Sequence, residues 1–229
     1  MNDPARPVHD WTVPEREYRR HEQRRGRRHA FTELVPARTA LVVVDLVPFF
    51  VGEPWFPLGV VDRVNTLAGV VRRTGGRVVW VLPGAEPPLP ARLEFYGATI
   101  AETYRLSGGG EGEPTGRLWH ELTVDPGDDC VEKTASSAFF PGRSPLPALL
   151  TEAGVDTVLL AGTTTDVCCE SSVRDAATLG FRTILVADGC ASATDDAHNA
   201  TLRTVYRSFG DVRPVAELVT LLEAQAGSA

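Results

Sequence analysis

The segment of this sequence best suited to chemistry is Gly162-Thr163-Thr164-Thr165-Asp166-Val167-Cys168-Cys169, which leads from the apolar run Thr157–Ala161 into Glu170-Ser171-Ser172-Val173-Arg174-Asp175-Ala176. The pattern reads as a buried strand, a tight loop and a helix over Asp166–Leu179 that ends at Gly180. Thr165 or Asp166 is a natural N-cap, which places Cys168 in the first helical turn. There the unpaired backbone N–H groups and the helix dipole favour a thiolate and lower the thiol pKa. The same N–H groups could hold an oxyanion. Helical spacing separates the two cysteines. From Cys169 the positions four and seven residues on are Val173 and Ala176, an apolar stripe; from Cys168 the neighbours are Ser171, Ser172 and Asp175. Cys169 therefore reads as core and Cys168 as facing a crevice, although a free cysteine is also often a small buried hydrophobe.

Two charged residues stand at the ends of other expected strands. Asp45 closes Thr39–Leu46 (TALVVVDL) after a string of apolar residues, where a carboxylate is costly to desolvate without a partner. Lys133 follows Val131-Glu132. Taken singly, Asp45 could be a loop cap and Lys133 an exposed lysine. His198 offers a rival base for a Cys–His hydrolase, although its place within a helical pattern equally suits a structural histidine. Phe50, Trp55 and Phe139 follow Asp45 and Lys133 and are candidates to line an apolar substrate pocket, or ordinary core.

The elements that must position these residues alternate strand and helix. Further strands are expected at Arg77–Leu82, Cys130–Glu132, Thr183–Ala187 and near Asp211–Arg213, with helices over Val60–Thr74, Asp195–Arg207 and Val215–Ala224. Apolar strands joined by helices imply an α/β fold: a three-layer α/β/α sandwich around a central, mostly parallel, doubly wound sheet. In such sheets the ligand crevice lies at the carboxyl ends of the strands, where Asp45, Lys133 and the Cys168 segment fall. Residues 1–37 form a separate Arg-rich arm, and 38–229 form one domain with a Pro- and Gly-rich insertion at about 83–126. A short helix or two in that insertion is expected to cover part of the site.

Bulk composition narrows the class. With 229 residues, 43% of them hydrophobic, the chain can bury a core without disulfide staples, and its four cysteines do not form a disulfide framework. A net charge of −7 argues against a nucleic-acid or anionic-membrane partner, although Glu15–Ala30 holds seven Arg against three Glu. That arm is expected to be solvated or to pack on a sister subunit. No run is long enough to span a bilayer, no secretory signal is visible, and a cytoplasmic location is expected. The five histidines have no ligand-like spacing, so no metal site is expected.

Taken together, Gly-x-x-Thr-x-x-Cys at 162–168 followed by Arg174-Asp175-Ala176, the strand ending in Asp45, and Glu132-Lys133 before Ser137-Ala138-Phe139 resemble the isochorismatase-like cysteine hydrolase superfamily. Asp188 and His198 fall where that family has its next strand and helix. The resemblance covers roughly Thr39–Phe209. It implies a catalytic trio of Cys168, Asp45 and Lys133, an oxyanion hole from the Thr164 and Cys168 amides, and a cis peptide between Thr163 and Thr164. It further implies hydrolysis of an amide, lactam or ureide C–N bond through a thioester, with no organic cofactor, in a homodimer or homotetramer. Two departures stand out. Val47 replaces the Gln or Asn common two residues after the aspartate, and Pro83–Pro90 lacks the Asp-x-His metal motif of the nicotinamidases. The resemblance therefore points to the metal-free branch and, more distantly, to streptothricin hydrolases. A vinyl ether hydrolase of the isochorismatase type, which works without a cysteine nucleophile, and a non-catalytic binding protein are the alternatives.

Overall fold

The apolar runs assemble into one sheet because each is flanked by helices that cover it. A computed structural model describes residues 6–110 and 112–226; residues 1–5 of the arm, Glu111 of the insertion and residues 227–229 lie outside the described residues. The strands are β1 (Thr39–Val44), β2 (Arg77–Pro83), β3 (Asp129–Lys133), β4 (Thr157–Thr163), β5 (Arg182–Ala191) and β6 (Asp211–Arg213). They lie in the order β3-β2-β1-β4-β5-β6, and every neighbouring pair is parallel. The helices are α1 (Glu15–Arg25), α2 (Pro48–Val51), α3 (Gly59–Arg73), α4 (Pro90–Tyr96), α5 (Ala98–Arg105), α6 (Leu146–Glu152), α7 (Glu170–Thr178), α8 (Asp195–Ser208) and α9 (Val215–Ala226).

All six residues of β1 are buried, as a strand covered on both faces must be. Its alternate side chains enter two cores. Leu41 and Val43 pack with Val64 and Leu67 of α3 and Leu218 and Leu222 of α9. Ala40, Val42 and Val44 pack with Leu150 of α6, Val173 of α7 and Val205 of α8. These are the three layers expected. Chain order reverses between β1 and β4, so their carboxyl ends diverge into the crevice typical of doubly wound sheets.

Two features differ from the sequence reading, and a third supplies the short helices it expected in the insertion. Residues of the Arg-rich arm pack on their own chain. Glu17 is buried, Tyr18 meets Tyr206 of α8 edge to face at 4.8 Å, and the Ala30 and Phe31 amides donate to Asp211 of β6. The arm's few apolar groups hid this face. Secondly, α6 carries Pro145 and Pro147 around its start, where a missing N–H costs nothing, and its prolines masked a helix. Thirdly, the insertion between β2 and β3 contains α4 and α5, which bury only Ala101 between them. A run of aromatics ties the pair to the loop after β1: Phe49 lies 6.1 Å from Tyr104, which lies 5.3 Å from Tyr96. On the other side Arg92 reaches Ser136, just past Lys133, at 3.4 Å. The insertion thus bridges the loops that follow β1 and β3.

Candidate active site

Three strand ends deliver the three candidate groups. Asp45 follows β1 directly, Lys133 is the last residue of β3, and Cys168 lies in the turn after β4. Val44 is in register with Gly162, so the Asp45 and Thr163–Cys168 segments leave the sheet side by side. Gly162 is required by that closeness. Its φ is +119°, and a Cβ there would stand 2.0 Å from the Val44 carbonyl oxygen. Asp45 itself has φ +59°, a left-handed conformation that Asp tolerates better than most residues. Its amide donates to Val81 of β2 at 2.8 Å, and its carbonyl accepts from Val47, a buried side chain in this position. The Thr163–Thr164 peptide is cis.

The Cys168 segment is not the simple helix expected. Thr164, rather than Thr165 or Asp166, occupies the N-cap position, and no side chain caps the turn. Thr165–Cys169 form a single π-helical turn, in which the Cys169 amide donates to the Thr164 carbonyl at 3.1 Å, and α7 begins at Glu170. Such widened turns recur at functional sites. The division of the two cysteines holds: Cys169 is fully buried beside Cys190, while Cys168 is half-buried. Ser172, expected on the polar face, is instead buried. Its hydroxyl donates to the Cys168 carbonyl at 2.7 Å and accepts from the Ala138 amide at 2.9 Å. Ser137 accepts from the Phe139 amide at 3.0 Å and shapes the turn after β3. Ser172 thus ties the Cys168 turn to the loop that follows Lys133.

Lys133 connects the trio. Its ammonium lies 2.9 Å from Asp45 Oδ2 and 3.6 Å from Cys168 Sγ, and it donates to the Ala135 carbonyl at 3.1 Å. Two of its N–H groups are directed at Ala135 and Cys168, and Asp45 is held by charge at ion-pair distance. Burial pushes the Asp45 carboxyl above its ordinary range, with Lys133 opposing. Burial pulls Lys133 down, but the charges of Asp45 and Cys168 more than offset it, and the ammonium is held. The Cys168 thiol is pushed up to about 12, first by burial and then by Asp45, against the pull of Lys133. The direction is opposite to the lowering expected at a helix terminus, because burial and a neighbouring carboxylate both disfavour the thiolate.

The remaining candidates fall elsewhere. His198 is buried with Nδ1 2.9 Å from Thr165 Oγ1, and burial, then the neighbouring His9, holds its pKa down to about 3. Its hydrogen-bond partner is Thr165 and not Cys168. Asp188 accepts from the Val215 amide at 2.7 Å and so caps α9. Phe50 of α2 is half-buried against Phe49, and Trp55 packs on the α3 core. Phe139 is fully buried in the other core, 5.6 Å from Phe181, and fills the fold rather than lining an open pocket. Among the described residues, no three His, Cys, Asp or Glu side chains gather as a metal-ligand set, and no helix is long and apolar enough to cross a membrane. Sequence reasoning missed Arg92, whose contact with Ser136 spans 44 residues and leaves no local pattern.

Comparison with known proteins agrees with this frame. The Isochorismatase domain family matches residues 39–217. The chain is 30% identical over 195 residues to maleamate amidohydrolase of Pseudomonas putida, covering 83% of this chain and 89% of that protein. It is 28% identical over 177 residues to an ureidoacrylate amidohydrolase of Methylorubrum extorquens, covering 72% and 71%. Among solved structures, N-carbamoylsarcosine amidase from Thermoplasma acidophilum aligns with a TM-score of 0.63 at 27% identity, over 78% of this chain and 96% of that one. A cysteine hydrolase from Pseudomonas syringae shares the fold over 98% of this chain and all of that one, with a TM-score of 0.71 at 20% identity. An all-parallel sheet, a switch point at β1 and β4 and a domain match over residues 39–217 place this chain in the isochorismatase family.

Proposed function

We propose that this protein is a hydrolase of a non-peptide C–N bond that works through a thioester on Cys168. The observation that carries the reading is the reach of one ammonium: Lys133 Nζ touches both Asp45 Oδ2 and Cys168 Sγ inside the crevice. A carboxyl raised by burial is a better base near neutrality than an ordinary aspartate, and it stands beside the half-buried thiol of the trio. Asp45 takes the Cys168 proton as the sulfur attacks an amide or ureide carbonyl. The amides of Thr164, at the N-cap of the π-helical turn, and of Cys168, within it, hold the oxyanion. The C–N bond then breaks, the leaving nitrogen takes the proton from Asp45, and the acyl group stays on sulfur. Water, deprotonated by Asp45, cleaves the thioester and restores the thiol. Lys133 keeps its proton throughout and balances whichever neighbour is anionic.

The amidohydrolase relatives suggest the first substrates to try, maleamate and ureidoacrylate. Ammonia release from a panel of these and primary amides, with ring opening of lactams followed by mass, tests the reading. Asp45→Asn should lower turnover on any active compound by at least about a hundredfold, because an amide cannot accept the proton, while the fold persists. An Asp45→Asn variant that turned over at the wild-type rate would remove Asp45 from the chemistry.

A further inference from the structure

The mechanism uses neither of two buried, stacked histidines that lie behind the nucleophile turn. One of them, His9, comes from the N-terminal arm. Its ring stacks on His198 with centroids 4.5 Å apart and 20° between planes. Two partners fix its tautomer: Nδ1–H donates to Asp195 Oδ1 at 2.6 Å, and Nε2 accepts from the Ser192 amide at 2.9 Å. Both His198 and Ser192, which His9 touches, lead to the turn. His198 Nδ1 lies 2.9 Å from Thr165 Oγ1, and the Ser192 hydroxyl donates to Asp166 Oδ1 at 2.6 Å. Thr165 and Asp166 are the first two residues of the π-helical turn, between the Thr164 and Cys168 amides. The arm is seated around His9 by the Thr12 amide donating to Asn199 Oδ1, and by Asn199 Nδ2 donating to the Asp10 carbonyl.

We propose that His9 is a positioning residue for the nucleophile turn, holding Thr165 through His198 and Asp166 through Ser192. The turn needs outside support because no side chain caps it. A ring locked on two edges and one face supplies that support from the opposite end of the sequence. The inference rests on the Cys168 reading for its consequence in turnover, but not for the contacts themselves.

The test uses the full-length protein with His9→Phe, which keeps a stacking ring and loses both hydrogen bonds, and His9→Gln, whose amide oxygen can accept from Ser192. Thr165→Val, on the turn itself, provides a second route to the same loosening. Hydrogen–deuterium exchange of the peptide spanning residues 164–170 is read first, since it needs no substrate. His9→Phe and Thr165→Val should each accelerate it several-fold, and the double variant no further. With maleamate or ureidoacrylate, whichever the wild type hydrolyses, kcat should fall about tenfold with KM within about twofold, and His9→Gln should recover most of it. Exchange that quickens only in the arm and α8, with the 164–170 peptide unchanged, would overturn the proposal. If Cys168→Ala kept full turnover, the reading of the nucleophile would fail instead, and the exchange result would still decide the role of His9.

Discussion

Replacing Lys133 with methionine removes the cation and keeps the length of the side chain. The consequence follows from burial: Asp45 is fully buried and Lys133 is only 4% exposed. At the observed 2.9 Å, opposite charges attract by about 6 kcal/mol at an effective dielectric near 20. Much of that is offset by the desolvation of both groups in the wild type. Removing one partner leaves the other charge uncompensated, which costs about 3–5 kcal/mol in buried pairs. For a chain of this size that is a fall in Tm of roughly 6–20 °C. The loss must also depend on pH. Without Lys133 the folded-state pKa of Asp45 rises further above the unfolded value of about 3.9. A carboxyl whose folded pKa is raised costs nothing below the unfolded pKa, and the cost grows with pH until the folded pKa is passed. Lys133→Met should therefore trail the wild type little near about pH 4 and most at about pH 8. Urea unfolding followed by circular dichroism at both pH values measures the difference. A loss below about 1 kcal/mol, equal at both, would refute the buried ion pair as described.

Two other outcomes follow from the same geometry. Gly162→Ala should cost more than about 4 kcal/mol or prevent folding, because the new Cβ meets Val44 backbone at a left-handed φ; a soluble variant of unchanged Tm would contradict the β1–β4 approach. Iodoacetamide labelling of Cys168, followed by peptide mass mapping, should keep accelerating above about pH 9, since the thiol of the resting enzyme is pushed up to about 12; a plateau below about pH 8 would mean that the thiolate is preformed.

Much of this frame was legible because burial of charge is hard to disguise. Asp45 ends an apolar strand, and a carboxylate so placed needs a partner, whereas Lys133 is singled out by the family resemblance. Strand limits such as Asp211–Arg213 and the helix at Val215 followed from periodicity and turn residues. What escaped depends on distance or on competing effects. A π-helical turn differs from an α-helix in which carbonyl each N–H meets, and side-chain spacing hardly reports it. A helix terminus and a nearby lysine both point to an acidic Cys168 thiol, while burial and Asp45, which no local spacing reports, push it up. Phe139 carried the signature of a pocket aromatic, yet Phe181, in the turn before β5, claims it for the core. His9 lies in an arm of polar composition, and its partners Ser192 and Asp195 are 183 and 186 residues away.

The central claim is that Cys168 carries the acyl group. Acid-quenching the wild-type enzyme during turnover of an amide or ureide substrate, then mapping adduct mass by peptide, tests it directly. The account predicts an acyl adduct on the peptide containing Cys168, placed on Cys168 rather than Cys169 by fragmentation and released by hydroxylamine. An adduct on any other side chain would contradict it.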